Sequence, residues 1–386
     1  MKLMGRFKRI LIAPDSFKDC LSSRDVALFL GEGIKEVLPE AGITVFPVAD
    51  GGDGTASCIH FHRGGSWKDL VVNDPLYRPV TSQYLELKDE NTAVIELARA
   101  SGLELLDRRE RNALETSTFG TGELIRDALD GGIKKIILTI GGSATVDGGT
   151  GIASALGFRF TGKDGRDIMP VSGGRLSGIS GINSDNLHPL FREAEILIAC
   201  DVQNVLNGEE GAARVYGPQK GADEKAVSIL ESGLRHLSRL IFEETGFDAD
   251  KHPGTGAAGG AALFLLAYGK GKLCRGFDII MELTSFLDAV EKADLIISGE
   301  GKIDRQTAYG KVVSSIAAIA AKKQIPFAGV GGIIEGDKET LRQKLNAIEL
   351  YPVRQFASND ADSFSNAPEY LRRIGSVIAE NIIRTL

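Results

Sequence analysis

Four cysteines in 386 residues, with no C-x-x-C pair among them, supply neither a disulfide framework nor a zinc site. Cys20, Cys58, Cys200 and Cys274 therefore read as reduced thiols, and Cys200 as a buried apolar residue at a strand end. Only 12 prolines, and glycines without a three-residue period, exclude collagen and disordered low-complexity chains. No hydrophobic run approaches the ~18 residues of a membrane span, and the stretch 260–268 falls well short. The apolar residues 10–13 are too few for a signal-peptide core and meet Pro14-Asp15 directly. Basic residues are dispersed and outnumbered, 45 Lys+Arg against 52 Asp+Glu, for a formal net charge of -7. A nucleic-acid binder needs clustered Lys and Arg, so that class is set aside. The expectation is a soluble cytoplasmic protein without membrane or nucleic-acid partners; the oligomeric state stays open, a homodimer among the options. Also missing are a GxxxxGK[ST] loop, a GxGxxG turn after the first strand and a GxSxG elbow. His60 and His62 are two apart, share no helix face and make no metal pair.

What is abundant is glycine, 47 residues or about 12% of the chain against a usual ~7%. The length suggests about two domains. Residues 9–13 form a short apolar run, followed by Ser22-Ser23-Arg24-Asp25 as a helix start and by Val26, Leu30, Ile34, Val37 and Leu38 at helical spacing. A second strand at 43–48 runs into Asp50-Gly51-Gly52-Asp53-Gly54-Thr55. The C-terminal hundred residues repeat this grammar: strands at 293–298, 326–330 and 348–351 alternate with helices at 312–323, 338–345 and after Pro368. Gly299-Glu300-Gly301 and Gly331-Gly332 read as loops between them. Such alternation predicts a parallel sheet flanked by helices. Residues 67–97 instead read as antiparallel hairpins with turns at Asn73-Asp74-Pro75 and Asp89-Glu90-Asn91, before further strands at 135–140 and 195–200. Segment 157–181, rich in glycine, reads as loop and short strand. The expected architecture is α/β with two domains. Residues 1–70 plus 286–386 form a doubly wound, Rossmann-like parallel-sheet domain, and 71–285 an inserted mixed α/β domain.

Acids and glycines recur beyond the predicted strands, where open α/β sheets bind ligands. Gly120-Thr121-Gly122, Gly141-Gly142 and the following loop to Gly149, and Gly254 to Gly260 could offer backbone N–H groups to phosphates at helix starts. This makes Gly120, Gly122, Gly141, Gly142, Gly256 and Gly259 candidate nucleotide contacts, with tight turns the alternative for any one loop. Phosphoryl transfer calls for a metal ion held by one or two carboxylates. Asp50, Asp53, Asp147, Asp201, Glu300 and Asp304 are the candidates for metal ligand or base, and Lys18, Lys220, Lys302 and Lys311 for phosphate or anionic substrate. Roughly half of the glycines fall in these loops and their neighbours.

Taken together, Ala13-Pro14-Asp15-Ser16-Phe17-Lys18, Pro47-Val48-Ala49-Asp50-Gly51-Gly52, Gly141-Gly142-Ser143-Ala144-Thr145, Gly217-Pro218-Gln219-Lys220-Gly221-Ala222, Gly254 to Gly260, and Ser298-Gly299-Glu300-Gly301-Lys302-Ile303-Asp304 with Gln306-Thr307 resemble the class I glycerate kinases. The resemblance is collinear over nearly the whole chain. It implies ATP- and magnesium-dependent phosphorylation of D-glycerate, giving 2-phosphoglycerate, in a cleft between two α/β domains; 3-phosphoglycerate as product, another small hydroxy acid as acceptor, and a non-enzymatic ligand-binding protein are the alternatives. Carried onto these residues, it makes Asp201, Asp50 and Lys18 catalytic, and Asp15, Ser16, Lys18, Gly51, Gly52, Ser143 and Lys302 substrate-binding. The glycines above, with Lys220 and Lys311, then bind ATP, while Asp53, Asp147, Glu300 and Asp304 hold Mg2+. Four positions depart from the family pattern: Asp19 replaces a common glycine, Asp53 a glutamate, Val146 an asparagine and Val205 a proline.

Overall fold

The structure is a computed structural model and describes residues 7–305, 307 and 312–384. It divides into two compact units. The first runs up to Asp50, takes Ser57–Arg63 and resumes at Phe277; the second holds Gly51–Ala56 and Gly64–Gly276. Strands in chain order are β1 (Arg9–Ile12), β2 (Gly42–Val45), β3 (Ser66–Asn73), β4 (Pro79–Leu87), β5 (Thr92–Glu96) and β6 (Lys135–Thr139). They continue with β7 (Arg159–Thr161), β8 (Gly181–Asn183), β9 (Glu195–Ala199), β10 (Lys270–Cys274), β11 (Leu295–Ile303), β12 (Phe327–Ile334) and β13 (Glu349–Pro352). Among the described residues no helix is long and apolar enough to cross a membrane.

The first unit pairs β13-β12-β11-β1-β2, every pair parallel. Counted within the unit this is the order 2-1-3-4-5, one of the two common doubly wound arrangements. Ile10, Leu11 and Ile12 are almost fully buried, as a central parallel strand covered on both faces requires. The strand expected at 43–48 ends at Val45, yet Phe46 and Val48 still donate to Ile12 and Pro14, so the extended run holds to the loop. Helix Ser23–Val37 begins where the acidic first turn predicted, its Ser22 cap accepting from the Asp25 amide. It packs closely on the final helix, Ala367–Arg384, through Gly33 and Gly375. A Cβ on Gly33 would stand 1.8 Å from the Arg372 carbonyl oxygen. Gly33→Ala is therefore expected to cost about 2 kcal/mol through forced separation of the helices, read as a lowered urea midpoint.

Two stretches expected as loops are strand instead. β11 runs on through Gly299, Glu300 and Lys302, and β12 through Gly331 and Gly332, in register Gly299↔Val330, Glu300↔Gly331 and Lys302↔Ile333. Glycine serves close backbone approach here: a Cβ on Gly299 would meet the Val330 carbonyl oxygen at 2.3 Å, and one on Gly332 the Gly301 oxygen at 2.5 Å.

The second unit orders its main sheet β10-β9-β6-β5-β4-β3. β10, β9, β6 and β5 are parallel, whereas β5-β4 and β4-β3 are the expected antiparallel hairpins. The Asp74 carboxylate accepts from the Leu76 and Arg78 amides, which closes the first of those turns. Segment 157–181 supplies β7, paired with β8, and its Phe158 and Phe160 join Phe191 and Phe264 in the core. A 22-residue helix, Glu224–Thr245, is capped by Asp223 and stopped by Gly246 at φ 76°.

Candidate active site

In the 2-1-3-4-5 order the chain reverses its winding between β1 and β11, and the crevice at the carboxyl ends of those strands is where such sheets bind ligands. The first unit has a pocket of about 360 Å³ there. Its polar wall is Asp15, Ser16 and Lys18 after β1, Asp50 after β2, and Glu300 and Lys302 near the end of β11. Six of the residues selected from sequence thus meet in one place. Asp15 is 8% exposed; its amide donates to the Gly299 carbonyl at 2.8 Å and its Oδ1 accepts from the Ser16 amide at 2.6 Å. Burial holds its carboxyl well above the usual carboxylate range, the charges of Asp50 and Glu300 push the same way, and the Ser16 bond and Lys18 oppose them. Lys302 is ion-paired with Glu335 and lies 3.4 Å from Asp304 Oδ2. Asp304 in turn exchanges hydrogen bonds with Thr307, a turn clasp outside the pocket's lining. Asp19 has φ 58°, a left-handed backbone conformation that favours glycine.

The pocket's other wall was not anticipated. Ile333, Val353, Asp360, Ser363, Phe364 and Ala367 line it, from the ends of β12 and β13 and the helices after them. Residues 357–364, Ala-Ser-Asn-Asp-Ala-Asp-Ser-Phe, carry none of the glycine-and-acid motifs of the other wall, and the structure leaves the large aromatic Phe364 exposed among them.

The second unit gathers its own loops at the carboxyl ends of β6, β9 and β10. Gly141, Gly142 and Ser143 follow β6, Asp201 follows β9 and accepts from the Gly276 amide at 3.1 Å, and Gly51–Asp53 lies against them. Gly51, at φ +89°, leaves no room for a side chain: a Cβ would come within 2.7 Å of Gly276 Cα and 2.8 Å of Ala199 Cβ. Gly52 faces Gly141, and the Asp53 carboxylate stands about 3.0 Å from the Gly142 Cβ position.

Several expected ligand contacts have packing duties. Gly120 faces the Asn73 carbonyl and Gly122 the Ile152 backbone, where helix Phe119–Asp130 meets its neighbours. Gly256 and Gly259 face the Val205 and Thr145 carbonyls, with 2.2 Å and 2.1 Å left for a Cβ. Asp147 is fully buried and accepts from the Thr118 amide and hydroxyl at 2.8 Å each, and from the Gly149 and Gly151 amides. With four protein donors on a fully covered carboxylate, it clasps its loop from within. Val146 beside it is fully buried in the core. Lys220 is 1% exposed and donates to Ser143 Oγ at 2.8 Å and the Thr145 carbonyl at 2.7 Å. Its amino group holds the Gly141–Thr145 loop from beneath. Burial brings its pKa down to about 7, with Asp147 opposing the shift. Lys311 and Gln306 lie outside the described residues. Among the described residues no three His, Cys, Asp or Glu side chains form a ready metal cage. His62 bonds the Pro47 carbonyl and packs against Phe46 with the rings tilted by 32°.

A profile of the glycerate kinase family matches residues 10–385. The glycerate kinase of Bacillus subtilis is 40% identical over 375 residues, 97% of each chain. The glycerate 2-kinase of Escherichia coli K12 is 38% identical over 335 residues, 87% of this chain and 88% of that one. A crystal structure assigned as glycerate kinase 2 from Salmonella typhimurium LT2 superposes with TM-score 0.83 at 36% identity, covering 98% of this chain and 99% of the other. This chain therefore belongs to the glycerate kinase family and is a phosphotransferase.

Proposed function

We propose that the protein transfers the γ-phosphate of ATP to the 2-hydroxyl of D-glycerate, giving 2-phosphoglycerate and ADP. The observation that carries this reading is the convergence of Asp15, Asp50, Glu300, Lys18 and Lys302 at the β1/β11 switch point. Phosphoryl transfer through a loose transition state needs positioned charge more than a strong base, and this set supplies both signs. Lys18 holds the glycerate carboxylate, which places the adjacent 2-hydroxyl for attack. Asp50 orients that hydroxyl and accepts its proton, and Asp201 is the second candidate for this task. Lys302 draws the donor phosphates toward the acceptor. The oxygen donors of Glu300 suit a hard cation that keeps several waters, so this carboxylate would hold Mg2+, which shields phosphate charge when bound. Support for the 2-position comes from the name of the Escherichia coli relative.

An ADP-release assay with D-glycerate tests the reading, with lactate, tartronate and hydroxypyruvate as competing acceptors. Magnesium-dependent turnover with glycerate is expected to exceed that with each of the others, and phosphorus NMR of the product should show a 2-phosphate. Equal turnover with another acid would reassign the acceptor, and a 3-phosphate would reassign the hydroxyl.

A further inference from the structure

The first unit's pocket has two chemically different halves, and the strand order sets them side by side. Over β11, β1 and β2 stand Glu300, Lys302, Asp15, Lys18 and Asp50. Over β12 and β13 stand Ile333 and Val353, with Phe364 from helix Asp360–Ser365 and Ala367 from helix Ala367–Arg384. Neighbouring strands lie ~4.8 Å apart, so the β13 and β1 columns are separated by roughly 14 Å.

Glycerate has a polar substituent on each of its three carbons and offers nothing to an apolar wall. It is also too small to fill about 360 Å³. Ile333 and Phe364 are 40% and 51% exposed, two large apolar side chains held open on the same pocket. A ribonucleoside meets these demands: its base is apolar on its faces and polar at its edges, and Asp360 and Ser363 stand at the same end to face those edges. From there a triphosphate has a direct course along the sheet edge to the lysines.

We propose that the apolar half of this pocket, formed by Ile333, Val353, Phe364 and Ala367, takes the nucleoside of the phosphoryl donor, with its phosphates directed toward Lys18 and Lys302. The proposal rests on the kinase reading above and deepens it. It assigns the nucleoside to the segment 333–367 of the first unit, a different set of residues from the glycine loops between 120 and 260.

Phe364→Ala, Ile333→Thr and the double variant test it. Both side chains stand outside the buried core, so the fold should persist, and circular dichroism checks that. In magnesium buffer, ADP binding by calorimetry is expected to weaken about tenfold in the double variant. KM for ATP should rise about tenfold while KM for glycerate stays within twofold. A rise in KM for glycerate with KM for ATP unmoved would hand the apolar half to the acid and overturn the proposal. Unchanged ADP affinity in the folded double variant, or no ADP binding by the wild type, would overturn it as well. The calorimetric arm needs no acceptor acid, so absence of glycerate turnover in the wild type sinks the kinase reading and leaves this test standing.

Discussion

Asp50→Asn is expected to lower kcat with glycerate by ~10²–10⁴ while leaving KM for ATP close to its original value. Asparagine keeps the shape of the side chain and its place in the pocket, but it cannot accept the proton released by the attacking hydroxyl. A loss confined to kcat is the mark of an interaction made in the transition state. Asp201→Asn is the matched comparison, since Asp201 ends its own strand in the second unit with Oδ1 already accepting from the Gly276 amide. A larger fall in Asp201→Asn would exchange the two assignments. Near-wild-type turnover in both variants, with the fold intact, would remove the proton-acceptor role from each.

The second large effect concerns stability. Lys220 titrates near 7 in the folded chain against about 10.5 for an ordinary lysine. Above the ordinary value both states are neutral at this site. As pH falls toward 7, the unfolded chain takes up a proton that the folded chain refuses, so the fold loses stability through that window and the deficit is complete below 7. Stability should therefore rise with pH between about 7 and 10.5 by up to ~1.4 kcal/mol per unit from this residue. The cause is desolvation first: two hydrogen bonds, to Ser143 Oγ and the Thr145 carbonyl, and the attraction of Asp147 only partly offset the burial of an ammonium. Lys220→Met removes the titrating group, so the difference in urea stability between wild type and variant should slope with pH across this window. Parallel curves would show that the lysine stays charged in the fold throughout.

Alternation of short apolar runs with helical patterns at both chain ends made the parallel sheet legible, because strands buried on both faces read as continuous Val, Ile and Leu. Turn chemistry did the same for the hairpins through Asp74. The acids of the switch-point pocket were legible for a related reason: Asp15 and Asp50 follow apolar strands closely, so their place at a carboxyl edge follows from chain order. Glycine was the ambiguous signal. Gly299, Gly331 and Gly332 permit strands to approach within contact, while Gly120, Gly122, Gly256 and Gly259 let backbones touch in the second unit. A missing Cβ serves a phosphate and a neighbouring carbonyl equally well, and one chain of letters carries no record of which stands opposite. Asp147 and Lys220 are ambiguous on the same ground, since a charge in a glycine loop can face a ligand or clasp the loop from within.

By itself the sequence determined the α/β class, the membership of both ends in one parallel sheet, the family, and the acids and lysines that could serve phosphoryl transfer. These depend on local periodicity and on residue types in order. Only the tertiary structure decided which of those charges share a pocket, which are buried as clasps, and that residues 353–367 return to complete a wall beside Asp15. Those outcomes depend on strand order and burial, which arise from contacts between segments hundreds of residues apart.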